Sequence, residues 1–168
     1  MLTYHPAYDV NHCAYRLLLI LESAQNQRIK WEVLRMIDFY ILFPSLLKQL
    51  SLPKEYIKVR KHFNSIPQTY ETISNPTRLM FELANIQIAG LTSLIAKNLI
   101  SKEEFAEDYV LRTKMPVPNE LNDKILNDDL RKAGWFIFLT SEFSKIDFYG
   151  PRGLKSRTGL MEFKYDIS

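Results

Sequence analysis

Apolar residues recur at helical spacing along most of this chain. Over 10–24, Tyr15, Leu18 and Leu19, with Glu22 one turn on, follow the helical period, and Asp9 or Asn11 can cap the start. The polar run Ser23–Lys30 interrupts that pattern. A second helix is predicted from about Trp31 to Phe43, with Val33, Leu34, Ile37, Tyr40 and Ile41 on its apolar side and Pro44 at its end. Ser45–Leu50 reads as a short continuation before Pro53. A third helix over 54–64 sets Lys54, Lys58, Arg60 and Lys61 against Tyr56, Ile57 and Phe63.

Pro67 to Ser74 reads as a loop. Asn75-Pro76 then starts a helix strongly, a capping side chain followed by proline at the first helical position. That helix runs to about Ile86, and another begins near Ile88 with Leu91, Leu94, Ile95 and Leu99 on one face. Two short helices joined by a tight turn are a helix-turn-helix pattern, and Ile95–Ile100 resembles the end of a winged-helix recognition helix. In 101–112 two patterns compete. Ser101-Lys-Glu-Glu104 is a capping box, which predicts a helix, while Phe105, Tyr109 and Leu111 also suit a wing strand. Lys114–Asn119 is a turn or linker. A helix is predicted over 120–132, and Trp135–Phe143, the most apolar block, suits a buried helix or a buried strand.

The last nineteen residues differ in kind. Three of the five glycines, Gly150, Gly153 and Gly159, lie there, which points to positive φ or close backbone approach. Arg152, Lys155 and Arg157 stand between them, and Met161, Phe163 and Tyr165 alternate with Glu162, Lys164 and Asp166 as in a strand. The expected architecture is therefore mainly α. It is a single domain over 1–168, with a helix-turn-helix or winged-helix-like centre at about 75–112 and a short C-terminal β element at about 147–168.

Composition narrows the function classes only a little. A net charge of +3 permits nucleic-acid contact without demanding it. The single cysteine, Cys13, excludes an internal disulfide and fits a reducing cytoplasm. No apolar run approaches the roughly 20 residues of a membrane span, and the N-terminus has no basic region ahead of an apolar one. A soluble cytoplasmic protein is expected.

Candidate chemistry is sparse. His5, Asp9, His12 and Cys13 cluster within nine residues and are of zinc-ligand type. Pro6 breaks the helical spacing there, however, and no second Cys/His pair closes the set, so local capping is the expected role and no metal is expected. Cys13 beside a histidine has the makings of a nucleophile and base, but it sits on an apolar helix, where a free cysteine is usually a small buried hydrophobe. Adjacent carboxylates such as Glu103/Glu104 and Asp128/Asp129 point in different directions on a helix. Neither GxxxxGK[ST] nor GxGxxG occurs. No catalytic residue, metal or cofactor is expected from these residues.

Two ends of the chain carry a family resemblance. The opening Tyr4-His5-Pro6-Ala7-Tyr8-Asp9 runs into His12-Cys-Ala-Tyr-Arg-Leu-Leu, and the close is Gly153-Leu-Lys-Ser-Arg-Thr-Gly-Leu-Met-Glu-Phe-Lys-Tyr-Asp166. Both are similar to the middle-component proteins of ABC three-component systems, also called Lamassu-type antiphage defence. The resemblance implies a non-enzymatic adaptor between an SMC-like ABC ATPase and an effector, often a nuclease, with DNA contacted within the complex. The residues these ends offer to partners are Tyr4, His5, Tyr8, Arg152, Lys155, Arg157, Phe163 and Tyr165. The rival reading is a DNA-binding winged-helix regulator. Against it, the predicted helix over 88–99 holds only Lys97 as a cation.

Overall fold

The computed structural model describes residues 5–69 and 73–162. Tyr4, and Phe163, Lys164, Tyr165 and Asp166 of the expected strand, lie outside the described residues.

Helix α1 (Val10–Ser23) begins at Asp9, whose carboxylate accepts from the His12 N–H at 2.9 Å. Its run Leu17–Leu21 leaves no polar face, and all five of these side chains are buried. A helix apolar all round belongs at the centre of a core, and α1 is packed by α2 (Trp31–Leu42), α5 (Ala84–Ala96) and α8 (Gly134–Ser141). Trp135–Phe143, which suits helix or strand by pattern alone, is thus helical through Ser141.

Between α1 and α2 the chain forms strand β1 (Arg28–Lys30), which pairs antiparallel with β2 (Tyr109–Leu111), Ile29 facing Val110. On the other side of β2, Ile100 bridges Arg112, and the Ser101 N–H donates to the Leu111 carbonyl at 2.9 Å. The competing signals in 101–112 are both satisfied. The Ser101 hydroxyl accepts from the Glu104 N–H at 3.2 Å and starts α6 (Lys102–Ala106), after which the chain turns through Asp108 at φ 63° into β2.

The helix expected over 54–64 is a 3-10 turn (Lys54–Val59) followed by α3 (Arg60–Asn64). Its faces also differ from expectation. Arg60 turns inward to donate to the Lys48 and Leu50 carbonyls at 3.1 and 2.8 Å, while Ile57 is 57% exposed. The tight turn expected near 87 is instead a 43° bend at Leu83 between α4 (Pro76–Glu82) and α5. Helix α5 ends in a Schellman arrangement, with Asn98 at φ 60° and the Leu99 N–H donating to the Leu94 carbonyl. The helix expected over 120–132 is α7 (Asn119–Leu126) and then a 3-10 turn (Asp129–Lys132) capped by Asp128.

Among the described residues no single helix is long and apolar enough to cross a membrane, and α4 with α5 meets that test only as a bent pair. The buried apolar side chains form one connected cluster, from Ala7 to Met161.

Candidate functional site

The C-terminal segment is built as a docked loop and helix. After the 3-10 turn Phe143–Lys145 the chain loops through Tyr149 into α9 (Leu154–Thr158). This corrects the strand expected after Gly150, since the basic stretch 154–158 is helical. The reason lies in its backbone partners. The Gly153, Leu154 and Lys155 N–H groups donate to the carbonyls of Gly150, Asp147 and Phe148 at 3.1, 2.7 and 3.0 Å, so the loop satisfies the free end of the helix. That wrap needs glycine at 153, where a Cβ would lie 2.2 Å from the Tyr149 carbonyl oxygen. Gly159 at φ 65° ends α9, and its carbonyl accepts from the Thr77 hydroxyl at 2.9 Å. Leu154, Leu160 and Met161 are buried and anchor the unit in the core.

Above these anchors Tyr149 is 65% exposed and borders three clefts. The first, about 230 Å³, has Met80, Phe148, Leu160 and Met161 in its walls with Glu32, Arg35 and Lys155. The second, about 410 Å³, lies along β1 and includes Arg28, Lys30, Tyr109 and Lys145. The third, about 810 Å³, lies between the Lys54 turn and α9 and includes Arg152 and Arg157. The structure therefore brings Arg152, Lys155 and Arg157 around one exposed tyrosine, on different sides of it. Arg157 is partly committed, donating to the Arg152 carbonyl at 2.5 Å and reaching the Ser51 carbonyl at 3.4 Å.

The N-terminal candidates lie apart from these clefts. The His5 ring stacks on Phe43 at 6.4 Å and meets Tyr8 edge-on at 6.2 Å, and its Nδ1 accepts from the Ala7 N–H at 3.1 Å. Tyr8 is 52% exposed. Cys13 is buried, and burial, with the nearby Asp38 carboxylate as a smaller cause, pushes its thiol up to about 12. Among the described residues no three His, Cys, Asp or Glu side chains are placed to share a metal ion.

The sequence reading missed a buried polar group that joins three helices. Arg16 on α1 donates to Asp38 on α2 through Nε at 2.6 Å and through Nη2 at 3.4 Å, and both residues are buried. Gln87 on α5 donates to the same carboxylate at 3.0 Å and to the Arg35 carbonyl at 3.2 Å, while accepting from Arg35 Nε at 2.8 Å. Burial holds the Arg35 guanidinium below its ordinary value, against the pull of Glu32 and Asp38. The network locks three helices together. Its sequence signal was Arg16 inside an apolar run and Asp38 two helical turns after Trp31 on the side otherwise occupied by Leu34 and Ile37. Arg112 was missed too; it pairs with Glu22 and donates to the Thr113 carbonyl at 2.7 Å, tying β2 to the end of α1.

A family model described as ABC-three component (ABC-3C) system Middle Component 5 matches residues 2–166. No curated protein and no solved structure matches the chain.

Proposed function

Because the chain belongs to the family of ABC-three component system middle components, we propose that it is a non-enzymatic adaptor and regulatory subunit. In this reading it bridges an SMC-like ABC ATPase and a nuclease-type effector in a cytoplasmic, Lamassu-type antiphage defence complex. The observation that carries the reading is the construction of the tail. Leu154, Leu160 and Met161 fix it in the core, while Tyr149, Arg152 and Lys155 project from it to solvent. An exposed tyrosine and arginine on a rigid base are the side chains that most often anchor protein–protein contacts, with Lys155 beside them at the rim. The buried polar groups support the non-enzymatic part, since Arg16, Asp38 and Gln87 spend their hydrogen-bonding capacity on joining helices.

Co-expression with an SMC-like ATPase and a nuclease-type effector of such a system tests the bridging directly. Purification through a tag on the ATPase is expected to retain the effector only when this chain is present. Retention of the effector without it refutes the reading.

A second reading, a DNA-binding winged-helix regulator, draws on the strand order, with β2 between β1 and Ile100 and α5 leading into Ile100. The helix that would enter the groove weighs against it. Ala84–Ala96 contains no charged residue, and its exposed positions are Asn85, Ile88, Thr92 and Ala96. Such a face offers the phosphates no cation.

A further inference from the structure

The second and third clefts share the 145–149 segment as a common wall. Their linings hold six cationic side chains against two carboxylates, Glu55 and Asp147, in a chain whose whole net charge is +3. Four separate stretches of sequence converge to supply those cations: β1, the Lys54 turn, Lys145 and the α9 region. Three of the six are already paired: Arg28 with Glu104 at 2.7 Å, Lys145 with Glu142 at 3.2 Å and Lys30 with Glu32 at 4.0 Å. Lys54, Arg152 and Arg157 have no carboxylate within 4.0 Å among the described residues. Lys54 and Arg152 are exposed.

Aromatic rings are interleaved with these charges. The Arg28 guanidinium on β1 lies over the Tyr109 ring on β2, 3.7 Å from its centre. Lys30 lies 5.4 and 5.2 Å from the Phe148 and Tyr149 ring centres. Tyr149 stands exposed on the shared wall.

We propose that this paired cleft binds an unpaired nucleic-acid strand, its phosphates on Lys54, Arg152 and Arg157 and its bases on Tyr149 and the Arg28–Tyr109 pair. Cations that track a backbone beside aromatic platforms are the means by which proteins hold single strands without reading sequence. A duplex keeps its bases stacked inside and offers no ring faces to Tyr149. A run of acidic side chains is the poorer fit, because it brings charge without ring faces for Tyr149, whereas a single strand brings a base beside every phosphate, with base amino groups that suit Glu55 and Asp147 as acceptors. The inference goes beyond the adaptor reading; both draw on Tyr149 and Arg152, so a strand held here would compete with a partner protein docked on those side chains.

The test is fluorescence anisotropy of the full chain with a labelled mixed-sequence oligonucleotide of about twelve nucleotides, within the size range of single-strand sites. The same strand as RNA, the same sequence as a duplex, and a polyglutamate peptide complete the set. Binding of the single strand is expected, with either sugar sufficing, and tighter than binding of the duplex or the peptide. With three phosphate contacts the logarithm of the affinity should fall with the logarithm of salt at a slope of roughly two. Lys54→Glu with Arg152→Glu should weaken binding at least roughly tenfold and flatten that slope, and Tyr149→Ala should weaken it without changing the slope. Unaltered far-ultraviolet circular dichroism of the variants establishes that they fold. Equal binding of the duplex, tighter binding of polyglutamate, or undiminished binding by the folded charge-reversal variant overturns the proposal.

Discussion

Replacing Asp38 by alanine should cost more stability than any comparable change on the surface, and the structure gives the size. The Asp38 side chain is fully buried and that of Arg16 is 10% exposed. Their 2.6 Å contact and the second, longer one at 3.4 Å are the guanidinium's charge compensation. Alanine at 38 leaves the Arg16 charge buried and unmatched, which costs about 3–5 kcal/mol. It also removes the acceptor of the Gln87 amide, whose donor still has the Arg35 carbonyl at 3.2 Å. A loss of that size is a large share of a typical total of about 5–15 kcal/mol. For a chain of 168 residues it corresponds to a fall in Tm of roughly 6–20 °C. Urea unfolding followed by circular dichroism measures it. The decisive comparison is the double variant Arg16→Met with Asp38→Leu. Removing both charges together should recover most of the loss, because the penalty belongs to the orphaned charge and not to the missing bond. A single variant within about 1 kcal/mol of wild type, or a double variant as unstable as Asp38→Ala, would refute the reasoning.

Three further outcomes follow from the geometry. Gly159→Val should lower stability by about 1–3 kcal/mol, because Gly159 has φ 65° and no atom of the described residues crowds its Cβ position, so the cost is backbone strain; Gly159→Asn should lose much less, and equal melting curves for wild type and the valine variant would exclude it. Burial of the Cys13 thiol raises its folded value from 9.0 to about 12, so its contribution to stability is present below 9 and is lost as pH rises from 9 towards 12; urea midpoints should fall across that window less steeply in Cys13→Ala, and Ellman's reagent should react with the thiol only on unfolding. Lys155→Glu, at an exposed position beside the first cleft, should leave the melting curve unchanged and weaken co-purification with the ATPase and effector; full retention of both partners would remove Lys155 from the interface.

Much of the fold was legible because its signals are local. Asp9, Asn75 and Ser101 each cap the helix that follows them, and a cap acts within one turn of chain. What was not legible depends on partners distant in sequence. Residues 109–111 became a strand because β1, some eighty residues earlier, lies beside them, and the capping box at Ser101 says nothing of that neighbour. Arg60 reads as part of a basic face by spacing, yet it turns inward because the Lys48 and Leu50 carbonyls need donors. Ile57 reads as core by the same spacing, yet the 3-10 winding of Lys54–Val59 carries it out to solvent.

The tail shows both effects in one segment. Its glycines mark special backbone, and the structure bears that reading out at Gly150 and Gly159, which have positive φ, and at Gly153, which lies against the Tyr149 carbonyl. Which special backbone they make was not written there. Glycines bounding a basic stretch suit a strand-linking turn as well as a helix, and the choice fell to helix because carbonyls of residues 147, 148 and 150 lie within reach of the first N–H groups of α9. The same wrap decides the chemistry of the surface. By winding 154–158 into a helix it sends Lys155 to the first cleft and Arg157 to the third, where an extended chain would place both residues on one face. Two cations two residues apart thus serve different clefts, with Tyr149 between them. Under the bridging proposal this single short helix supplies separate surfaces for separate partners, and the glycine at 153 is the residue on which that division depends.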